Sequence, residues 1–201
     1  MTESASTPRL RVTFAIYVAL IPATTLIGPR EIPFFWHLAF GFAGFFFVAL
    51  ACLGRIWCSV FIAGHKDEKL VTTGPYVRCR HPLYSFSLLG ALGLGLTTRS
   101  PLLCVAVVAL IAALVIYAAS CEEQFLEAAF PEEFKAYLAA VPNKWWPRAR
   151  HATPGASAGA TPERLDVRSA IYWKAFLDGG SFFLLYLLVS GAAEYRIMPT
   201  F

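Results

Sequence analysis

The sequence predicts an all-α, polytopic integral membrane protein with about five transmembrane helices and short cytosolic interfacial helices. Its residues are 57% hydrophobic and 15% charged, too apolar for an ordinary soluble domain. The apolar residues come in blocks, at 10–27, 34–53 with a continuation toward 63, 83–97, 101–120 and 171–193. These blocks are judged against the roughly 20 apolar residues that a helix needs to cross a bilayer core. The block at 83–97 is short, and leaning or shielding by its neighbours would accommodate it. The cations are asymmetric as well. With five spans, the N-terminus and the loops at 55–82 and 121–174 share one side and hold fourteen of the seventeen Lys and Arg. That side is the cytosol, and the C-terminus lies opposite.

The expected organisation is a single membrane-embedded domain over 1–201, with a core region at 55–148, a linker at 149–168 and an extra C-terminal span at 171–193. The net charge of +4 is spread along membrane-flanking loops without a basic run, so it implies no nucleic-acid partner. No partner protein is implied either. No small-residue cleavage site follows the first apolar run, which reads as a retained helix. The five cysteines lie in spans or at their cytosolic ends, and an odd count in those places argues against a disulfide framework.

Taken in order, the first span carries Pro22, which a lipid-embedded helix tolerates when neighbours satisfy the freed carbonyl. A turn at Gly28-Pro-Arg-Glu-Ile-Pro33 leads to an aromatic-rich second span, interrupted by Gly41 and Gly44 where a neighbouring backbone can approach. Thr72-Thr-Gly-Pro75 is a turn signal, and Pro82 marks a helix start, where its missing N–H would have been unpaired anyway. The third and fourth spans carry small residues, Gly90, Ala91, Gly93 and Gly95 against Ala106, Ala109, Ala112 and Ala113, which predict a close hairpin. Leu126, Phe130, Phe134 and Leu138 recur every fourth position, and Pro131 splits that stretch into two short helices lying on the membrane. Trp145-Trp146 fits an interfacial anchor, and the spacing of Lys174 and Asp178 in the last span suits a snorkelling ion pair.

The polar residues that stand out are Gly74-Pro-Tyr-Val-Arg-Cys-Arg-His-Pro-Leu-Tyr84 and the acidic pair Glu122-Glu123. Between them lie two apolar runs joined by a short turn at 97–101. Antiparallel helices of similar length return the chain to the side on which it began, so Arg80, His81 and Tyr84 are expected to face Glu122 and Glu123. Each residue alone has a plainer use: arginines anchor membrane flanks, His81 caps a helix, Tyr84 belongs to an aromatic belt, and acidic residues favour the first turn of a surface helix. Their joint occurrence points to a site.

The stretch resembles the isoprenylcysteine carboxyl methyltransferase family, with its phospholipid methyltransferase relatives. The matching residues are Gly74-Pro-Tyr76, Arg80-His-Pro-Leu-Tyr84, Glu122-Glu123 with Phe125-Leu126, and Phe134-Lys-Ala-Tyr137 followed by Val141-Pro142 and Trp146-Pro147. The pieces stand in family order over about 55–148. The resemblance implies a membrane methyltransferase that binds S-adenosylmethionine at the cytosolic ends of its helices, through Arg80, His81, Tyr84, Glu122 and Glu123. One departure is Ser85-Phe86-Ser87, where a glycine is common in the family. No glycine-rich strand-to-helix turn of the dinucleotide-binding type is present in the sequence.

The residue types suit that ligand. Arg80 and the N-terminus of the third span can hold a carboxylate, and Glu122 or Glu123 can accept from ribose hydroxyls or an ammonium. Methyl transfer is an in-line displacement that depends on alignment and exclusion of water. An ionised carboxylate or phosphate acceptor needs no general base, and no residue is assigned as catalytic; an amine or thiol would need one, with His81 or a glutamate the candidate. The expected partner is a lipophilic, lipid or prenylated substrate from the bilayer. The rival readings are a membrane sterol or lipid reductase using NADPH, which shares an Arg-His-Pro-x-Tyr segment, and a non-enzymatic membrane subunit. A metal site from Cys79, His81, Cys121 and the glutamates lacks paired-ligand spacing.

Overall fold

The computed structural model describes residues 3–29, 31–62, 70–146 and 169–197, and among these there are six α-helices, a short 3-10 turn and no strand. The helices are α1 (Glu3–Ile27), α2 (Phe34–Ile62), α3 (Pro82–Thr97), α4 (Pro101–Ala129), α5 (Pro131–Ala140) and α6 (Ser169–Ile197), with the 3-10 turn at Gly74–Val77. Their starts follow from proline at the first helical position in α3, α4 and α5. Ser100 caps α4, its hydroxyl accepting from the Leu103 N–H.

The long helices form a ring: α2 packs on α3, α3 on α4, α4 on α1, α1 on α6 and α6 back on α2. One side chain set from each closes the core, including Tyr17 and Leu20 of α1, Val48 of α2, Leu94 of α3, Ile111 of α4 and Val189 of α6. Outside the ring the apolar residues are exposed: Phe35, Phe42, Phe46 and Leu53 on α2, and Leu102, Val105, Leu110 and Ile116 on α4. Continuous apolar surface of that extent suits lipid.

By length and composition α2 and α4 qualify as crossing a membrane, against the five spans expected. The apolar helices Val12–Ile27 and Pro82–Thr97 are shorter; at 16 residues α3 rises only about 24 Å, less than a bilayer core of about 30 Å.

The expectation of a close α3–α4 hairpin built on facing small residues needs correction. A Cβ on Gly93 would lie 2.8 Å from the Gly44 carbonyl oxygen and from the Val48 nitrogen of α2. A Cβ on Gly90 would strike the Phe182 ring of α6, and only Gly95 faces α4, at Cys104. Ala106, Ala109 and Ala113 face outward, because α4 turns its Leu103, Val107, Ile111 and Val115 stripe to the core. The glycines of α3 therefore bring its backbone close to α2 as well as to α4.

A second correction concerns α4, which runs unbroken past the apolar block to Ala129, so only the break at Phe130–Pro131 is present. The stretch after it folds inward: Phe134, Tyr137 and Val141 form a small core with Leu126 and Leu138 beside them. The linker at 149–168 and the side chains of Lys174 and Asp178 lie outside the described residues.

Candidate functional site

The site is built where three chain segments meet: the turn before α3, the C-terminal part of α4, and residues 141–146. The turn is fixed first. Gly74 has φ +61°, a left-handed conformation that favours glycine, and a Cβ there would strike the Phe61 ring. Behind it the Tyr137 hydroxyl donates to the Tyr76 carbonyl at 2.8 Å, locking α5 to the 3-10 turn.

The turn is then stitched to the later segment by backbone bonds. The Arg80 N–H donates to the Asn143 carbonyl and the His81 N–H to the Lys144 carbonyl, both at 3.0 Å. The Ser85 hydroxyl bonds the Trp145 carbonyl. Ser87 receives Arg55 of α2, so the serines that depart from the family pattern both bridge elements. The imidazole of His81 ends between two rings, with centroids 5.6 Å from Tyr84 and 5.7 Å from Trp145.

Four of the five residues singled out in the sequence converge through their polar side-chain atoms, and Tyr84 joins them through its ring. On one carboxylate oxygen Glu123 accepts from Arg80 Nη1 and from His81 Nε2, each at 3.0 Å. On the other it accepts from Lys144 Nζ at 2.8 Å. Glu122 Oε2 stands 3.7 Å from His81 Nδ1, and its side chain is 44% exposed. Arg80 also donates to the Pro142 carbonyl, and its Nε is buried without a hydrogen-bond partner among the described residues.

His81 is 5% exposed, and burial holds its pKa below the usual 6.5, outweighing the hydrogen bond to Glu123 and the charges of both glutamates. It is therefore neutral at neutral pH. Its Nε2–H must donate to the Glu123 carboxylate, which leaves Nδ1 as an acceptor facing Glu122. Glu123 lies beyond Ser120, where the apolar run ends. Burial pushes its pKa up, but the hydrogen bonds from Lys144 and His81 and the charges of His81 and Arg80 prevail and draw it down. Burial lifts the Cys79 thiol to about 11, so it stays protonated and inert.

The roles of the two glutamates separate here. Glu123 is engaged by three donors and organises the site. Glu122 and His81 Nδ1 are two neighbouring acceptors that a ligand N–H or O–H can satisfy together. Sequence reasoning missed Lys144 and placed Trp145 in a membrane anchor. The matched Val141-Pro142 and Trp146-Pro147 bracket both, but spacing alone gives no reason for that segment to return to α3.

Residues 37–133 match the phospholipid methyltransferase family. The matched segment includes α3, all of α4 and all five residues singled out. Lys144 and Trp145 lie beyond it. The chain is also 43% identical over 132 residues to the "Cobalt-zinc-cadmium resistance protein CzcN" of Cupriavidus metallidurans, covering 63% of this chain and 59% of that protein. It is 46% identical over 86 residues to the "Nickel-cobalt-cadmium resistance protein NccN" of Alcaligenes xylosoxydans xylosoxydans, covering 42% of this chain and 40% of that protein. The chain thus spans less than two thirds of the length of each. No solved structure matches it.

Proposed function

We propose that the chain is an S-adenosylmethionine-dependent membrane methyltransferase acting on a lipophilic acceptor, either an isoprenylcysteine-like carboxylate or a lipid head group. In this reading five helices span the bilayer, the N-terminus and the site face the cytosol, and the C-terminus lies opposite. The observation that carries it is the convergence of Arg80 and His81 on the half-exposed Glu122 and on Glu123, with His81 Nδ1 beside Glu122 and the buried Arg80 Nε lacking a hydrogen-bond partner among the described residues. A ligand with an ammonium and a carboxylate on one carbon suits such a group of residues, and S-adenosylmethionine carries that pair.

When bound, S-adenosylmethionine supplies a methyl group on cationic sulfur. Arg80 would hold its carboxylate, and Glu122 with His81 Nδ1 would receive its ammonium or a ribose hydroxyl. Tyr84 and Trp145 offer aromatic faces beside His81 that favour a cation and exclude water. Glu123 and Lys144 act as positioning residues, holding Arg80 and His81 in place. The acceptor tail would enter from the bilayer between helices, so the chemistry needs alignment more than proton transfer. The metal-resistance names of the relatives suggest that the methylated membrane component matters under exposure to divalent metals.

Incubating the purified protein with methyl-labelled S-adenosylmethionine and a membrane lipid extract tests this. A labelled lipophilic product that is lost in Glu122→Gln is expected. No labelled product from any extract, with no S-adenosylmethionine binding, would overturn the proposal.

A further inference from the structure

At the far end of the α3–α4 hairpin, away from the glutamate pair, a second polar cluster stands beside an apolar pocket. Arg99, in the turn between α3 and α4, is 6% exposed and has φ 57°. Its Nη2 donates to Glu194 Oε1 of α6, and His37 Nε2 of α2 stands 3.4 Å from the same oxygen. The rest of the guanidinium is not satisfied: Nε and Nη1 are buried without a hydrogen-bond partner among the described residues. Two buried donors on a permanent cation are costly to leave unpaired.

Arg99 also lines a pocket of ≈ 220 Å³ with Phe40, Leu96, Cys104 and Val105. That is smaller than a cavity for a drug-sized ligand, which begins at about 300 Å³, and its walls are almost wholly apolar. It has room for part of a chain and not for a whole lipid. A cation with spare N–H groups at one end and a greasy slot at the other matches an alkyl chain that ends in an oxyanion. Guanidinium forks suit carboxylates and phosphates.

We propose that this pocket binds an anionic amphiphile, with its oxyanion on Arg99 and one alkyl chain along Phe40, Leu96 and Val105. A fatty acid and an anionic phospholipid share that chemistry. Glu194, on Nη2 and itself beside His37, then holds Arg99 in place and leaves the Nε–H and Nη1–H groups for the ligand. The site is separate from the glutamate pair and independent of methyl transfer.

The test is a titration of the purified protein in non-ionic detergent with decanoate, dihexanoyl phosphatidate, decanol and inorganic phosphate, following the thermal unfolding midpoint. Saturable stabilisation by decanoate or by the phosphatidate, with decanol and phosphate inactive at the same concentrations, is expected and tells the two sources apart. Arg99→Gln should weaken that response by at least about tenfold, which corresponds to about 1.4 kcal/mol. If Arg99→Gln does not fold, Val105→Trp serves: the residue is exposed, and filling the slot should abolish the response with Arg99 intact. Equal stabilisation by decanol, full competition by phosphate, or an unchanged response in Val105→Trp would each overturn the proposal.

Discussion

Lys144 donates to Glu123 at 2.8 Å from a segment that also accepts, through its own carbonyl, the backbone N–H of His81. One residue therefore binds both halves of the site, the turn through its backbone and the acidic helix through its side chain. Removing the charge but keeping the stem isolates the second contact. Lys144→Met is expected to lower S-adenosylmethionine affinity by about tenfold, the effect of losing a charged hydrogen bond of about 1.5–3 kcal/mol reduced by partial exposure. Equilibrium binding of the labelled cofactor checks it, and unchanged affinity would remove Lys144 from the site.

The two glutamates should behave differently. Glu122 has one long contact and is half-exposed, so Glu122→Gln should weaken cofactor binding without moving the unfolding midpoint. Glu123→Ala leaves Arg80 and Lys144 without their carboxylate and should destabilise the fold by about 2–4 kcal/mol as well. Parallel thermal unfolding and binding measurements on both variants distinguish them.

The pH dependence follows from His81. Its folded pKa lies below its ordinary 6.5 because burial disfavours the cation, so the unfolded chain binds the extra proton first. Stability is then full above 6.5 and is lost as pH falls below it toward the lowered folded value. Glu123 acts in a lower window: its pKa is drawn below 4.5, so its contribution is present above 4.5 and is lost only as pH falls further. Unfolding midpoints recorded between about pH 5 and 8 should slope downward toward acid in the wild type and flatten in His81→Gln. A slope that survives the substitution would assign it elsewhere.

The α2–α3 contact gives a prediction about packing. Gly93→Ala places a methyl against the backbone of Gly44 and Val48, which cannot swing aside, and should cost about 1–3 kcal/mol. Gly41→Ala meets nothing within 4 Å and should be neutral or slightly favourable, as alanine is the better helix former. Denaturation in detergent compares the two.

Much of this was legible because it rests on local rules. Proline at the first helical position marked α3, the apolar blocks located the long helices, and the hairpin of α3 and α4 brought Arg80 and His81 to Glu123. What escaped depends on contacts between elements distant in sequence. Small residues announce a close approach but not the neighbour, so Gly93 meets Gly44 of α2 where the small residues of α4 were expected. Lys144 looked like one more cation on a membrane-flanking loop. Arg99 looked like a lone residue in a turn until α6 supplied Glu194. The amphipathic repeat from Leu126 to Leu138 was read as lying on lipid, yet its Phe134 packs onto Tyr137 and Val141.

The unbroken course of α4 has a mechanical consequence. The carboxylates ride on the same stiff rod as the apolar stripe of Val107 and Ile111, with no hinge between Pro101 and Ala129. Their distance from the imidazole is consequently set by how that rod leans, and a thicker or thinner lipid environment, by changing the lean, would tune the grip of the site like a lever arm.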